Sequence, residues 1–451
     1  MGIESSFFAA QAWVDGDWAF DVRLDVAADG TWQSVTPGGR ADGATVLEGP
    51  ALPGIVNAHS HAFQRAIAGL TEESGGDDDF WRWRDRMYSA ALRITPAQLE
   101  AIATQLYAEL LAGGYTQVCE FHYLHNAPDG QAHANPLEMS MALVRAAQAT
   151  GIGLTLLPTL YMRSGFGAAG LRDDQRRFAG TPDRVLRMAE AVNALALPNI
   201  NAGVALHSLR AVDAIALAEV AQASRAAGWP VHIHIAEQMQ EVQDCLAHHG
   251  QRPIEWLLDH APVDDRWNLV HATHATPCEW VALQRTGASV VICPSTEANL
   301  GDGVFDLPGW MAQGGRWSVG SDSHVTRSAA EELRLLEYSQ RLLLRQRNIA
   351  ARAGGRASSA AVLLQGALQG GHAAAGLALG GLAPGQRADF LVLKGDAPAL
   401  AGLPAQRVLD AWVFSSPGAD IAQTWVAGRR AAGLQATQQA GFAAAMQALW
   451  A

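Results

Sequence analysis

Gly54-Ile55-Val56-Asn57-Ala58-His59-Ser60-His61 is an apolar run that ends in two histidines. Its length and its Ile and Val predict a short strand buried on both faces. Seven further runs of this kind follow, over 115–123, 151–161, 201–210, 230–237, 267–274, 289–296 and 316–324. Between most of them lie Ala/Leu/Glu/Arg segments long enough for helices, such as 95–112 and 213–227. Eight strands alternating with helices predict an α/β fold, a (β/α)8 TIM barrel. In such a barrel the reactive side chains gather where the strands end.

The flanks read differently. Residues 1–52 carry short runs rich in Trp, Val, Asp and Gly, with turn signals and no long helical pattern. Residues 382–432 return to that style, with Phe390-Leu391-Val392-Leu393, Trp412-Val413-Phe414 and Thr424-Trp425-Val426. The two ends are expected to meet as one small β-sandwich beside a barrel over 53–381. The Ala-rich stretch within 433–451 is expected to be a C-terminal helix, and 350–361 a helix with a loop.

Composition removes several functional classes. The chain has 451 residues, 49% of them hydrophobic and 17% charged, which suits a large core and not a disordered chain. Its formal net charge of -12 disfavours nucleic acid and anionic membranes as partners, because both select basic surfaces. Met1-Gly2-Ile3-Glu4-Ser5 lacks the basic start of a secretory leader, and no apolar run is long enough to span a bilayer. Cys119, Cys245, Cys278 and Cys293 form no CxxC pair and read as reduced thiols of a cytoplasmic protein.

The chemistry is carried by four strand ends. His59 and His61 stand two residues apart, so both imidazoles point to one face of a strand and can share a metal. Alone, that pair is a weak signal. Val231-His232-Ile233-His234-Ile235-Ala236-Glu237 places His234 near the end of strand five and Glu237 at its exit. His232 lies one layer deeper and reads as a packed, hydrogen-bonded histidine. Val319-Gly320-Ser321-Asp322 ends strand eight in a carboxylate that can bind metal or accept a proton, or simply cap a helix. His271 closes strand six, where a neutral imidazole can act on an attacking water; His274 is a competitor for that role. Three imidazoles and one carboxylate suit Zn(2+) with a position left for water, though iron or manganese fits similar ligands.

HSH, HIHIAEQ, VHATH and GSDSH, set between Leu52-Pro53-Gly54 and Ala388-Asp389-Phe390, resemble the amidohydrolase superfamily over nearly the whole chain. The resemblance implies a metal-dependent hydrolase. Two-metal members commonly use a carboxylated lysine after strand four. The only lysine here is Lys394, and strand four ends in His207-Ser208-Leu209-Arg210. One ion per subunit is therefore expected, held by His59, His61, His234 and Asp322.

The remaining mouth residues speak to the substrate. Two arginines near one mouth of an acidic protein suggest paired recognition of carboxylates, against surface salt bridges as the plain alternative. FWRWRDRMY, EFHYLH, LHSLRAV and PSTEANLGDG are similar to the formimidoylglutamate deiminase family of histidine breakdown. That family implies a small dicarboxylate substrate, N-formimidoyl-L-glutamate, cleaved at a C–N bond to N-formyl-L-glutamate and ammonia. It also implies a homodimer. By the same resemblance Gln64, Arg84, Tyr123, His207 and Arg210 bind substrate, while Glu237, His271 and Asp322 are catalytic. Arg82 and Arg86 compete with Arg84. Two other readings stay open: a deaminase for a guanine-like or triazine-like ring, and a zinc-binding scaffold without catalysis.

Overall fold

The computed structural model describes residues 3–72, 80–418 and 420–451, with side chains from 83 onward in the second stretch. The acidic, Gly-rich loop before the FWRWRDRMY motif lies outside the described residues, as does the side chain of Arg82. All eight expected barrel strands form. They are β1 (Ile55–Ser60), β2 (Tyr115–His122), β3 (Gly153–Leu160), β4 (Val204–Ser208), β5 (Val231–Ile235), β6 (Trp267–His271), β7 (Ser289–Ile292) and β8 (Arg316–Val319). Each pairs in parallel with the next, in chain order. Nearly every strand residue is buried, as expected of strands with the barrel core on one side and helices on the other.

The helices follow from local signals. Thr95 accepts from the backbone of Gln98, whose side chain returns the bond, and Pro96 opens the helix Pro96–Ala112. Asp213 caps Ala214–Ala227 by accepting from the amide of Ala216. The expected helix and loop over 350–361 resolve into Ile349–Ala353 and the start of Ser359–Ala375.

The barrel closes between its first and last strands through a parallel bridge of Ser60 with Asp322. The Asp322 amide donates to the His59 carbonyl at 3.0 Å, and the His61 amide to the Asp322 carbonyl at 3.3 Å. Buried Asn57 adds two side-chain bonds across the seam, to the Ser321 amide and to its hydroxyl.

The terminal segments build one hydrogen-bonded β-layer. Strand Ile3–Val14 pairs with Asp17–Ala27, and Ala51–Pro53 pairs with Phe390–Leu393 from the other end of the chain. The layer curls on itself. Thr31 bridges to Arg387, and Trp32 reaches Phe390 with ring centroids 5.5 Å apart. Phe7, Val22, Leu24, Phe390 and Val392 fill its separate small core. Ala436–Trp450 is a terminal helix. Among the described residues, no helix is long and apolar enough to cross a membrane.

Helix Ser359–Ala375 backs the seam. A Cβ at Gly370 would stand 2.0 Å from the Trp317 carbonyl oxygen of β8, and one at Gly371 would stand 2.8 Å from Val56 Cβ of β1. Bare glycines are what let this helix lie against both strands. Gly370→Ala is expected to cost about 1–3 kcal/mol through overpacking, read as a melting temperature lowered by several degrees.

Candidate active site

Four side chains meet at the seam. His59 and His61 leave β1, His234 leaves β5, and Asp322 follows β8. The His59 Nε2 atom lies 3.1 Å from Nε2 of His61 and 3.0 Å from Nε2 of His234. Asp322 Oδ1 lies 3.4 Å from both His59 Nε2 and His61 Nε2. All four groups are buried.

This arrangement fits a metal ion and fits little else. His61 Nδ1 donates to the Phe121 carbonyl and His234 Nδ1 to the His207 carbonyl, both at 2.9 Å. A carbonyl only accepts, so each ring carries its proton on Nδ1 and aims a bare Nε2 lone pair at the cluster. Burial holds the His59 pKa down to about 3 and also lowers those of His61 and His234, which keeps the rings neutral. One proton on His59 can serve one neighbour; the remaining lone pairs face each other unless a cation stands between them. Burial opposes ionisation of Asp322, but His59, His61 and His271 outweigh it and lower its pKa, so the carboxylate is charged. Three neutral imidazoles and an anionic oxygen are the donor set of a divalent ion.

The β1 end is propped from beneath. Glu120 of β2 accepts from the Ala62 amide at 2.6 Å, from Ser60 Oγ at 2.7 Å and from Tyr107 Oη at 3.3 Å. Local backbone strain collects at the same mouth: Ala236, His271, Ala272 and Asp322 all have positive φ. Such conformations persist only where the surrounding structure enforces them.

Beside the imidazoles stand an acid and a base. His271 Nε2 is 3.7 Å from Glu237 Oε1 and 3.8 Å from Asp322 Oδ2. Burial works against a charge on His271, but Glu237, Glu297 and Asp322 outweigh it and raise its pKa to about 10. A divalent cation in the cluster would add positive charge next to this ring and pull that value back down. Burial raises the Glu237 pKa to about 7. His232, one layer below, donates or accepts nothing at the mouth; its Nε2 bonds the Ala374 carbonyl at 2.9 Å. Lys394 lies far away, at the exposed end of a terminal-sheet strand.

One pocket joins this cluster to the other expected residues. Gln64, Arg84, Tyr123, His207 and Arg210 all line it together with His61, His234, Glu237, His271 and Asp322. Gln64 Nε2 donates to Tyr123 Oη at 3.2 Å. His207 sits in a register shift between β4 and β5, where Leu206 pairs with Ile233 and Ser208 with His234, and its ring rests 4.1 Å from that of Tyr161. Arg210 lines the pocket with its Nε buried and without a hydrogen-bond partner among the described residues. Two of the three competing arginines differ in where they lie. Arg84 faces the pocket over the Tyr88 ring, whereas Arg86 bonds the Leu70 carbonyl and lines a different groove.

Sequence reading passed over Tyr88, Tyr161, Arg163 and Glu297. Arg163 donates to the carbonyls of Leu209, Arg210 and Val212, fixing the turn that presents Arg210. Tyr161 and Arg163 directly follow β3, so the strand-end rule was the signal that pointed to them.

A model of the amidohydrolase family matches residues 51–431. The chain belongs to the amidohydrolase family. It is 48% identical over 427 residues to a formimidoylglutamate deiminase of Pseudomonas aeruginosa, covering 94% of each chain. It is 27% identical to an 8-oxoguanine deaminase of the same organism, over 76% of this chain and 74% of that one. A crystal structure of an amidohydrolase from Brucella melitensis superposes with a TM-score of 0.92 at 40% identity, covering 99% of this chain and 100% of that one. A zinc-bound adenosine deaminase from Xanthomonas campestris shares the fold, with a TM-score of 0.81 at 21% identity and 99% of each chain covered.

The family assignment and the lone-pair geometry lead to one expectation. Treatment with a strong chelator should lower the melting temperature, because an ion that binds only the folded state stabilises it, and restored divalent metal should return it. His234→Ala should retain less than about a tenth of the parent's metal by elemental analysis.

Proposed function

We propose that this amidohydrolase is a zinc-dependent deiminase of N-formimidoyl-L-glutamate, releasing ammonia and N-formyl-L-glutamate, with one ion per subunit. It would act in the cytoplasm, in histidine breakdown. One observation carries the reading: a single pocket is lined both by His61, His234 and Asp322 of the imidazole and carboxylate cluster and by Arg84 and Arg210. A hydrolytic centre facing two guanidiniums suits an amidine that bears two carboxylates. The relative of Pseudomonas aeruginosa supports the same choice.

His59, His61, His234 and Asp322 would hold the zinc. When bound, zinc would make a water molecule acidic near neutral pH and polarise the carbon–nitrogen bond. The chain's own groups do the rest. Arg84 and Arg210, with His207 and the Gln64–Tyr123 pair, grip the carboxylates and fix the formimidoyl carbon beneath the cluster. Asp322 and His271 take the proton of the attacking water as its oxygen bonds to that carbon. Glu237, 3.7 Å from His271, delivers a proton to the terminal nitrogen. As the remaining hydroxyl proton passes to Glu237, the proton held by Asp322 and His271 moves to the same nitrogen; the carbon–nitrogen bond breaks, the nitrogen leaves as ammonia, and the carbon keeps the new oxygen as a formamide.

Ammonia release should be rapid from N-formimidoyl-L-glutamate and at background from guanine and 8-oxoguanine; the reverse ranking refutes the proposal. Arg210→Met should raise KM by about tenfold or more, with a smaller effect on kcat, since each charge-assisted hydrogen bond is worth about 1.5–3 kcal/mol. Glu237→Gln should lower kcat by about 100-fold to 10,000-fold while metal stays bound, measured by steady-state assay and elemental analysis on one sample.

A further inference from the structure

Glu297 is a buried carboxylate that the reaction above does not use. It lies on the short helix Pro294–Leu300, which starts directly after β7. Its Oε1 is 3.2 Å from His271 Nδ1 and 2.9 Å from the backbone nitrogen of Cys293. Among the described residues, no other hydrogen-bond partner reaches His271 Nδ1. The ring is 1% exposed.

The helix that carries Glu297 is itself pinned. Ser295 donates to Glu332 through its amide at 2.9 Å and its hydroxyl at 2.5 Å. Thr296 Oγ1 bonds Ser323 Oγ at 2.9 Å and accepts from the Ser323 amide at 3.2 Å. Ser323 is the neighbour of Asp322. The helix therefore ties the position of His271 to that of the β8 carboxylate. His271 needs such support, because its own backbone holds φ at +67°, and that of Ala272 holds +49°.

Glu297 Oε1 already accepts from the Cys293 amide, so it faces His271 Nδ1 as an acceptor. Opposite His271 Nδ1 it demands a proton on that nitrogen, and the bare lone pair of the neutral ring is then on Nε2. That is the atom facing Glu237 at 3.7 Å and Asp322 at 3.8 Å. We propose that Glu297 is a positioning residue, which holds His271 in the Nδ1–H tautomer with Nε2 presented to the water. The inference rests on His271 being the base of the proposed reaction, but its tautomer can be read without any substrate.

The test is Glu297→Met in the zinc-loaded full chain. The side chain keeps nearly the same size but offers no oxygen to His271 Nδ1, so the tautomer is no longer dictated. Nitrogen-15 NMR of histidine-labelled protein, assigned by the loss of signals in His271→Asn, reads the proton position directly. The parent should show His271 protonated at Nδ1, and Glu297→Met should shift the population toward Nε2–H. With N-formimidoyl-L-glutamate, kcat should fall about 10-fold to 100-fold, with KM within about threefold and with metal content unchanged. Glu297→Gln, whose one oxygen can still accept from both His271 Nδ1 and the Cys293 amide, should keep the parent tautomer and most of the activity. An Nε2–H tautomer in the parent, or unchanged His271 signals in Glu297→Met, overturns the inference. So does a loss confined to KM, metal content or stability. A parent that releases no ammonia from this substrate sinks the proposed function, while the NMR result still decides the role of Glu297.

Discussion

The seam between β1 and β8 is the constraint on which the rest depends. A barrel sheet must close, and here closure is made by the reactive residues' own backbone: Ser60 bridges Asp322, and His59 and His61 exchange bonds with Asp322. Folding the barrel and assembling three of the four donors are thus one event. Gly320 shows how tight the approach is, since a Cβ there would meet His59 Cβ at 2.6 Å. Helix Ser359–Ala375 presses on the seam from outside, and Asn57 stitches it from within. A metal centre built this way inherits the rigidity of the sheet instead of the mobility of loops.

Charge is arranged around that seam with a clear polarity. Backbone carbonyls of Phe121 and His207 set the ring protons of His61 and His234 and turn neutral lone pairs inward. Carboxylates of Glu237, Glu297 and Asp322 surround His271. Arg84, Arg163 and Arg210 line the same pocket. The protein as a whole is acidic, so these arginines are a local reversal of sign, which suits the carboxylated substrate proposed above.

Regular geometry is broken where the chemistry is. Irregular register appears between Asn57 and Ser60, and between Leu206 and Ser208, next to His59 and His207. Left-handed backbone appears at Ala236, His271 and Asp322, each at or just beyond a strand end. These departures re-aim single side chains without disturbing the barrel beneath.

Periodicity determined most of the fold from sequence alone. Eight apolar runs, most of them separated by helical segments, leave few arrangements other than a barrel, because a parallel strand buried on both faces needs helices around it. The i, i+2 spacing of His59 and His61 was equally legible, since strand geometry is local. Tertiary structure alone decided the rest. Which of the arginines after residue 80 faces the pocket depends on how one helix rotates against the barrel, and near-identical spacing of like residues carries no sign of that: Arg84 turns in and Arg86 turns away. The partners of Glu297 and Arg163 were silent for a similar reason, although Arg163 stands close to a strand end. Each acts across a gap between elements, 26 residues from His271 and 47 residues from Arg210, and no local pattern records such a partner. The ring protons too are settled by carbonyls on neighbouring strands, which only the closed barrel brings within reach.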